Sequence, residues 1–227
     1  MPEIPVIAID GPGGAGKGTI SRRVAARLGW HLLDSGALYR LIGLEALQQG
    51  VDLADEARLA ELARGLEVEF DAGADVECIL LRGQEVTAEV RSEACGEAAS
   101  RVASHPGVRS ALIDRQRAFR ELPGLVADGR DMGSVIFSDS RLKIFLTASV
   151  AERALRRYKQ LKEKGIGVSL SALSQDMAER DRRDAERPVA PLQASPDARL
   201  LDTTSMSIEV VVSTVLDWAA AIYPSAD

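Results

Sequence analysis

The fold is decided near the amino end, by the stretch Val6-Ile7-Ala8-Ile9-Asp10-Gly11-Pro12-Gly13-Gly14-Ala15-Gly16-Lys17-Gly18-Thr19. The apolar run at its start predicts a buried strand, and a glycine-rich turn follows. After the turn, Ile20, Val24 and Leu28 recur at helical spacing and predict an amphipathic helix. A strand, a glycine loop and a helix in this order are typical of a phosphate-binding loop.

The chemistry of this loop explains its composition. Glycine tolerates the turn and lets backbone N–H groups approach an anion closely. The helix start adds unpaired N–H groups and the positive end of a dipole, and Lys17 adds a mobile full charge. Gly18 stands where the common G-x-x-x-x-G-K-[ST] pattern has a hydroxyl, which comes one place later at Thr19. We therefore expect Thr19 to contact phosphate, with any metal held by phosphates and water.

Composition limits the class of protein. The chain has 227 residues, 46% hydrophobic and 27% charged, which suits one α/β domain with insertions. Its net charge of −6 gives no global basic field for nucleic acid. Two cysteines and two histidines are too few for a structural zinc site, and reduced thiols are expected. We find no leader pattern and no apolar stretch long enough to span a bilayer, so we expect a cytoplasmic protein without membrane contact.

Alternating strand and helix patterns predict a parallel sheet covered by helices. Its five strands are expected within Val6–Ile9, Trp30–Gly36, Gly124–Asp128, Leu142–Leu146 and Arg199–Asp202.

Two segments depart from this alternation. Residues 66–88 alternate apolar and acidic side chains and predict a short antiparallel meander. We expect its last turn at Arg82–Glu85 and its third strand from Val86–Thr87. Two charged helices are predicted at Val150–Lys164 and Ser169–Arg187.

Three polar clusters follow predicted core strands. They are the glycine loop, Asp34-Ser35-Gly36 and Asp128-Gly129-Arg130-Asp131. Because ligands of open α/β sheets bind at the carboxyl ends of the strands, we expect all three clusters to face one crevice.

Arginines supply the positive charge that a second phosphate group needs. Most of them lie in charged helical runs that are typical of solvated faces. Arg130 lies in a tight turn after a strand, and Arg40 lies one helical turn from the Asp34 cluster, so both are candidates for bidentate phosphate binding. Arg153, Arg156 and Arg157 share a helix and are expected to close over the phosphoryl donor.

Several stretches together resemble the bacterial cytidylate kinases, a family of nucleoside monophosphate kinases. The matching stretches are Gly11–Thr19, Leu33-Asp34-Ser35-Gly36-Ala37-Leu38-Tyr39-Arg40, Arg115-Gln116-Arg117, Ala127-Asp128-Gly129-Arg130-Asp131-Met132-Gly133, Arg180-Asp181-Arg182-Arg183-Asp184 and Val189-Ala190-Pro191-Leu192. The resemblance covers essentially the whole chain, and Lys-Gly-Thr in the loop is also a trait of nucleoside monophosphate kinases.

The resemblance implies an α/β fold: a P-loop kinase core with a five-stranded parallel sheet, a small antiparallel β insertion that binds the monophosphate, and a helical lid. The implied division is core at 1–60, insertion at 61–105, core at 106–150, lid at 151–188 and core at 189–227. It also implies phosphoryl transfer from ATP to CMP or dCMP with Mg²⁺, and no metal ligand from the protein itself. We expect a monomer that binds ATP and CMP or dCMP, and no nucleic acid.

The resemblance also implies residue roles. ATP is expected at Gly11, Pro12, Gly13, Gly14, Ala15, Gly16, Lys17, Gly18, Thr19 and Arg156. The acceptor phosphate is expected at Ser35, Arg40, Arg130 and Arg187, the cytosine at Ser100, Arg109 and Asp131, and the sugar at Arg180 and Asp184. Tyr39 is placed with these acceptor-binding residues. Lys17, Asp128, Arg130 and Arg187 form the expected catalytic set.

Two other hypotheses stay open from the residues alone. One is a related kinase acting on UMP, AMP or a small hydroxylated metabolite, because the glycine loop does not separate these acceptors. The other is a non-enzymatic ATP-binding protein, which the acidic net charge and the lack of aromatics among the basic helices disfavour in its nucleic-acid-binding form.

Overall fold

The structure is a computed structural model that describes residues 4–71, 78–163 and 165–223. The chain forms two units, one from Met1–Asp34 together with Gln116–Asp227, and the other from Ser35–Arg115. In chain order the elements are β1 (Val6–Asp10), α1 (Lys17–Leu28), β2 (His31–Asp34), α2 (Ser35–Gln49), α3 (Glu56–Arg64), β3 (Val68–Asp71), β4 (Cys78–Leu81), β5 (Gln84–Glu85), α4 (Thr87–Val90), α5 (Glu93–Val102), α6 (Pro106–Arg117), β6 (Leu125–Gly129), a π-helical turn (Met132–Ile136), β7 (Leu142–Thr147), α7 (Val150–Glu163), α8 (Leu170–Glu186), β8 (Arg199–Asp202) and α9 (Ile208–Ile222).

The first unit contains a five-stranded sheet in the order β2-β6-β1-β7-β8. All its neighbouring strands pair in parallel. This confirms the predicted parallel core.

The core of this unit lies between the sheet and two helices. Ile7 and Ile9 of β1 pack with Ile20 and Val24 of α1 in one buried cluster. Val215, on the buried face of α9, belongs to the same cluster. The side chain of Ser207 accepts a hydrogen bond from the backbone N–H of Val210 and so caps the start of α9. The core therefore fixes the helix that begins at Lys17 against the central strand.

Strand order places a ligand-binding position at one edge of the sheet. The chain leaves β1 for β2 on one side, whereas it leaves β6 and crosses β1 to reach β7 on the other. The connections thus diverge at the carboxyl ends of β1 and β6, which is where open α/β sheets bind ligands. The glycine loop follows β1, and the Arg130–Asp131 turn follows β6.

The second unit contains an antiparallel sheet in the order β3-β4-β5. Arg82 and Gly83 both have positive φ, 50° and 75°, and make the two-residue turn between β4 and β5. The third strand is consequently Gln84–Glu85, so the prediction that Gln84 and Glu85 lie in the turn is wrong. Thr87, predicted to lie in that strand, begins α4 instead.

The predicted antiparallel meander is otherwise present in this unit, although residues 72–77 lie outside the described chain. The limits proposed for the insertion at 61–105 and the lid at 151–188 stay predictions. The two units are defined by which parts of the chain pack together, and that division does not show what each part does.

Candidate active site

The glycine loop joins β1 to α1 through unusual backbone angles. Gly11, Gly14 and Gly16 have φ values of 149°, 77° and 96°, which side chains rarely adopt. A Cβ atom on Gly11 would also lie 1.9 Å from the carbonyl oxygen of Leu146 on β7. The glycines are therefore required by the path of the loop, which ends with Gly16 as the N-cap of α1. The first N–H groups of that helix have no intrahelical acceptor.

Lys17 is buried rather than extended into solvent, with 6% of its surface exposed. Its Nζ donates to the carbonyl oxygen of Pro12 at 3.0 Å and lies 3.9 Å from Oδ1 of Asp128. Burial lowers the pKa of Lys17, and the positive charge of Arg130 lowers it further. Burial raises the pKa of Asp128, against the opposing effect of Lys17. The ammonium group of Lys17 is therefore buried and held at the carbonyl of Pro12. That its charge is mobile during transfer stays a prediction.

Three carboxylates mark the carboxyl edge of neighbouring strands. Asp34 at the end of β2 is in register with Asp128 on β6, and Asp10 at the end of β1 is in register with Gly129. The negative charges of Asp34 and Asp10 both raise the pKa of Asp128, after the larger effect of burial. The edge thus concentrates ionisable groups at the position where the strand connections diverge.

Asp10 holds the turn after β6. Its two carboxylate oxygens accept the backbone N–H groups of Met132 and Gly133, each at 2.8 Å. Burial raises its pKa from 3.8 to about 6, although both hydrogen bonds oppose that change. The carboxylate therefore anchors the backbone beside Asp131, which is itself 3% exposed.

Arg130 joins this turn to α8. Its Nε donates to Oδ2 of Asp184 at 3.0 Å. Burial alone would raise the pKa of Asp184, but the charges of Arg130, Arg180 and Arg187 and the hydrogen bond from Arg130 together lower that pKa. A Cβ atom on Gly13 would lie 3.5 Å from Nη2 of Arg130 and 3.8 Å from Nε of Arg180. Two cationic groups therefore lie beside the loop.

Two arginines of α7 also contact the loop. Nη1 of Arg153 donates to the carbonyl oxygen of Gly13 at 2.9 Å. Nη1 of Arg156 lies 3.4 Å from the carbonyl oxygen of Ala15, and its Nη2 donates to that of Thr203 at 2.6 Å. The loop carbonyls of Gly13 and Ala15 therefore face donors from α7.

The second unit holds the other residues predicted for the acceptor. Ser35 and Tyr39 are buried on α2, and Ser100 is buried on α5. Nη1 of Arg40 donates to the carbonyl oxygens of Val90 and Ser92, at 2.8 and 3.2 Å.

Arg109 is also held inside the second unit. It is 5% exposed, donates to the carbonyl oxygen of Ala103 at 3.2 Å, and lies 5.6 Å from the ring centre of Tyr39. Arg109 and Tyr39 are therefore brought together within one unit.

Within the first unit, the structure brings together the glycine loop, Lys17, Asp128, Arg130 and Asp184. Arg187 is 7% exposed, and its Nε donates to the carbonyl oxygen of Ala190.

Sequence reasoning missed two features of this unit. One is the anchoring role of Asp10, for which an acid at the end of a buried strand is the available signal. The partnership of Arg153 with Asp181 on α8 has no local signal, because the two residues lie 28 positions apart.

The loop, the helix start and the buried lysine define a P-loop protein that binds the phosphates of a nucleotide. The family model described as cytidylate kinase matches residues 7–221. A cytidylate kinase of Pseudomonas aeruginosa is 59% identical over 215 residues, covering 94% of each chain. A cytidylate kinase of Aeromonas salmonicida is 53% identical over 220 residues, covering 96% of each chain. The chain therefore belongs to the cytidylate kinase family.

Likeness among solved structures is weaker. A gluconokinase from Sinorhizobium meliloti superposes with a TM-score of 0.47 at 15% identity, covering 97% of this chain and 93% of that one. That score adds nothing to the assignment.

A nucleotide kinase works on a nucleoside triphosphate with a divalent metal ion. Among residues 4–71, 78–163 and 165–223, no three His, Cys, Asp or Glu side chains are grouped to hold such an ion. Two hard oxygen donors are available here. Thr19 is an exposed residue at the end of the loop sequence, and the carboxylate of Asp128 lies 3.9 Å from Nζ of Lys17. This donor set fits a cation that is held mostly by phosphate oxygens and water.

No helix within the described chain is long and apolar enough to cross a membrane.

Proposed function

We propose that the protein transfers the γ-phosphoryl group of ATP to CMP and dCMP, giving ADP with CDP or dCDP. Family membership supports the reaction. The observation that carries it at the site is the burial of Lys17 beneath a glycine loop that Arg130 also approaches. A loop for one phosphate chain and an arginine beside it are what transfer between two phosphates requires.

The donor phosphates bind the loop from Gly11 to Thr19. Their negative charge is met by the N–H groups at the start of α1 and by Nζ of Lys17. Burial makes this charge effective, because a fixed positive group in a low-dielectric site stabilises the transition state without reorganising. Arg156 borders the loop at Ala15 and completes the donor-binding set.

The acceptor phosphate is bound by arginines that supply planar, bidentate donors. On the first unit these are Arg130 and Arg187, with Arg180 and Asp184 beside the sugar. On the second unit Ser35, Tyr39 and Arg40 contribute to acceptor binding. The attacking atom is already an anionic phosphate oxygen, so no general base is needed; Asp128 keeps Lys17 in place.

Cytosine is distinguished from uracil by Asp131, Arg109 and Ser100. Cytosine offers a donor at N4 and acceptors at N3 and O2, so a carboxylate accepts from N4 while Arg109 and Ser100 donate to the other edge atoms. Uracil places a carbonyl where cytosine has its amino group. A buried site built for one hydrogen-bonding pattern rejects the other by up to about 10⁴–10⁵-fold.

The metal proposed for the reaction is Mg²⁺, which prefers oxygen ligands and keeps several waters. When bound, it neutralises charge on the donor phosphates. We further propose a cytoplasmic monomer that binds nucleotides and not nucleic acid; the acidic net charge of −6 supports the last point.

The test is an ADP-release assay with purified protein, ATP, Mg²⁺ and a panel of nucleoside monophosphates. ADP release stimulated mainly by CMP and dCMP is expected. A response mainly to UMP or AMP would favour the related-kinase alternative, whereas no response to any acceptor would favour a non-enzymatic ATP-binding protein.

A further inference from the structure

One buried guanidinium bridges the glycine loop and α8. Arg153 on α7 is 3% exposed, and its Nε donates to the carbonyl oxygen of Ala148 at 2.9 Å. Its Nη1 donates to the carbonyl oxygen of Gly13 in the loop at 2.9 Å and to Oδ1 of Asp181 on α8 at 3.1 Å. Its Nη2 donates to Oδ2 of the same carboxylate, which makes the ion pair two-pronged. The side chain is committed to protein groups and is not extended towards solvent.

The surroundings of this bridge are tightly packed. A Cβ atom on Gly14 would lie 3.3 Å from Cβ of Arg153 and 3.3 Å from the methyl carbon of Met177 on α8. The loop therefore rests directly on both helices, and the guanidinium of Arg153 contacts both the loop and Asp181. An arginine fork with a fixed geometry transmits such a shift better than a flexible lysine, because its donors move as one plane.

Asp181 lies among the residues that the proposed function gives to the acceptor nucleotide. Arg180 precedes it in sequence, and Asp184 lies nearly one helical turn further along α8. Asp184 in turn binds Arg130 at 3.0 Å. The chain of contacts thus runs from the loop through Arg153 and Asp181 to the helix that carries the sugar-binding pair.

We infer that the Arg153–Asp181 pair couples the two nucleotides, so that a triphosphate bound at the loop strengthens the binding of CMP. Both are positioning residues that act through the loop and α8. The inference rests on the proposed function, because it takes α8 as part of the acceptor site. A triphosphate that fixes the loop also fixes the Gly13 carbonyl to which the guanidinium donates, and through Asp181 it favours the position of α8 that binds CMP. By linkage, CMP must strengthen triphosphate binding by the same factor.

The coupling is measured as a ratio of dissociation constants. The Kd of CMP is determined by titration calorimetry with and without a saturating non-hydrolysable ATP analogue and Mg²⁺. For the wild-type chain we expect the analogue to tighten CMP binding about tenfold, within the range usual for coupled sites. Asp181→Asn keeps the size of the side chain but removes its charge, and should reduce the ratio below about twofold. Arg153→Lys keeps the charge but removes the fork, and should do the same.

Glu179→Gln is the matched control. It removes one negative charge from the same helix, but Glu179 pairs with Arg182 on the exposed face of α8 at 2.8 Å. We expect this variant to keep the wild-type coupling ratio.

Three results would overturn the inference. The first is a wild-type ratio near one, and the second is a wild-type ratio preserved in both Asp181→Asn and Arg153→Lys. The third is failure of both variants to fold while Glu179→Gln folds, which would assign the pair to stability alone. If the wild-type chain binds and phosphorylates CMP in these cases, the proposed function stands without the coupling. If it neither binds nor phosphorylates CMP, both fail.

Discussion

Substitution of Asp10 by asparagine should change how stability depends on pH. The carboxylate is buried at the end of β1 and accepts two backbone N–H groups, at 2.8 Å each. Burial raises its pKa from 3.8 to about 6. A raised carboxyl pKa means that the folded chain holds the proton more tightly than the unfolded chain. Its contribution to stability is therefore full below pH 3.8 and is lost as the pH rises through about 6.

The size of this effect follows from the two pKa values. The full shift corresponds to a loss of about 3 kcal/mol, of which about 1.4 kcal/mol falls between pH 5 and pH 8. The side chain of asparagine does not ionise, so the variant has no pH-dependent contribution at this position. The variant also avoids the cost of a buried charge, but one of the two N–H groups loses its acceptor, at a cost of about 1–3 kcal/mol. Because these effects nearly cancel at neutral pH, the pH dependence is a sharper readout than the stability itself.

The assay is urea unfolding of the wild-type chain and Asp10→Asn at several values between pH 5 and pH 8. Relative to the wild type, the variant should gain about 1.4 kcal/mol of unfolding free energy across this range. Asp197→Asn is the control, since the hydrogen bond with Lys143 lowers the pKa of Asp197 from its ordinary value of 3.8, which already lies below this range. The stability of that control relative to the wild type should stay flat. A flat difference for Asp10→Asn as well would refute the burial of an ionised carboxylate beneath the Arg130 turn.

Three further substitutions test the roles at the site. Lys17→Ala should lower kcat by about two to three orders of magnitude while circular dichroism reports a native fold, because it removes a preorganised charge at the phosphates; a near-normal kcat would refute that role. Asp131→Ala should erode the preference for CMP over UMP, measured as the ratio of kcat/KM values, more than it raises the KM of ATP; equal losses would remove Asp131 from base recognition. Arg130→Lys should raise the KM of CMP about tenfold, because lysine cannot supply a planar fork to phosphate, whereas the exposed Arg182→Lys should leave it unchanged; an unaltered KM in Arg130→Lys would count against a phosphate contact.

Local sequence patterns predicted much of the fold. The strand at Arg199–Asp202 has the predicted limits, and the two charged helices are present as α7 and α8, because apolar periodicity and capping residues act within a few positions. Ser169 and Ser207 cap their helices through hydrogen bonds to the N–H three residues ahead, which is also a local signal. The third strand of the meander was misplaced because positive φ at Arg82, a non-glycine residue, cannot be read from its identity.

The sequence motifs indicated the loop and the family, but they did not indicate contacts between residues that are distant in sequence. The loop and Lys17 follow one another in sequence, and the family matched by the whole chain is the one that the motifs indicated. The hydrogen bond from Met132 to Asp10 spans 122 positions, and that from Arg153 to Gly13 spans 140. Such contacts depend on strand order, which the local patterns do not contain. The burial of Lys17 follows from the same long-range packing.

The central claim is that the loop and Lys17 bind the phosphates of ATP, while Arg130 binds the CMP phosphate that accepts the γ-phosphoryl group. A crystal structure with CMP, Mg²⁺ and a non-hydrolysable ATP analogue tests it most directly. We expect the β- and γ-phosphates within about 3.2 Å of the loop N–H groups and of Nζ of Lys17, and the CMP phosphate at the same range from Arg130. Phosphates bound away from the loop, in crystals where both nucleotides are present, would contradict the account.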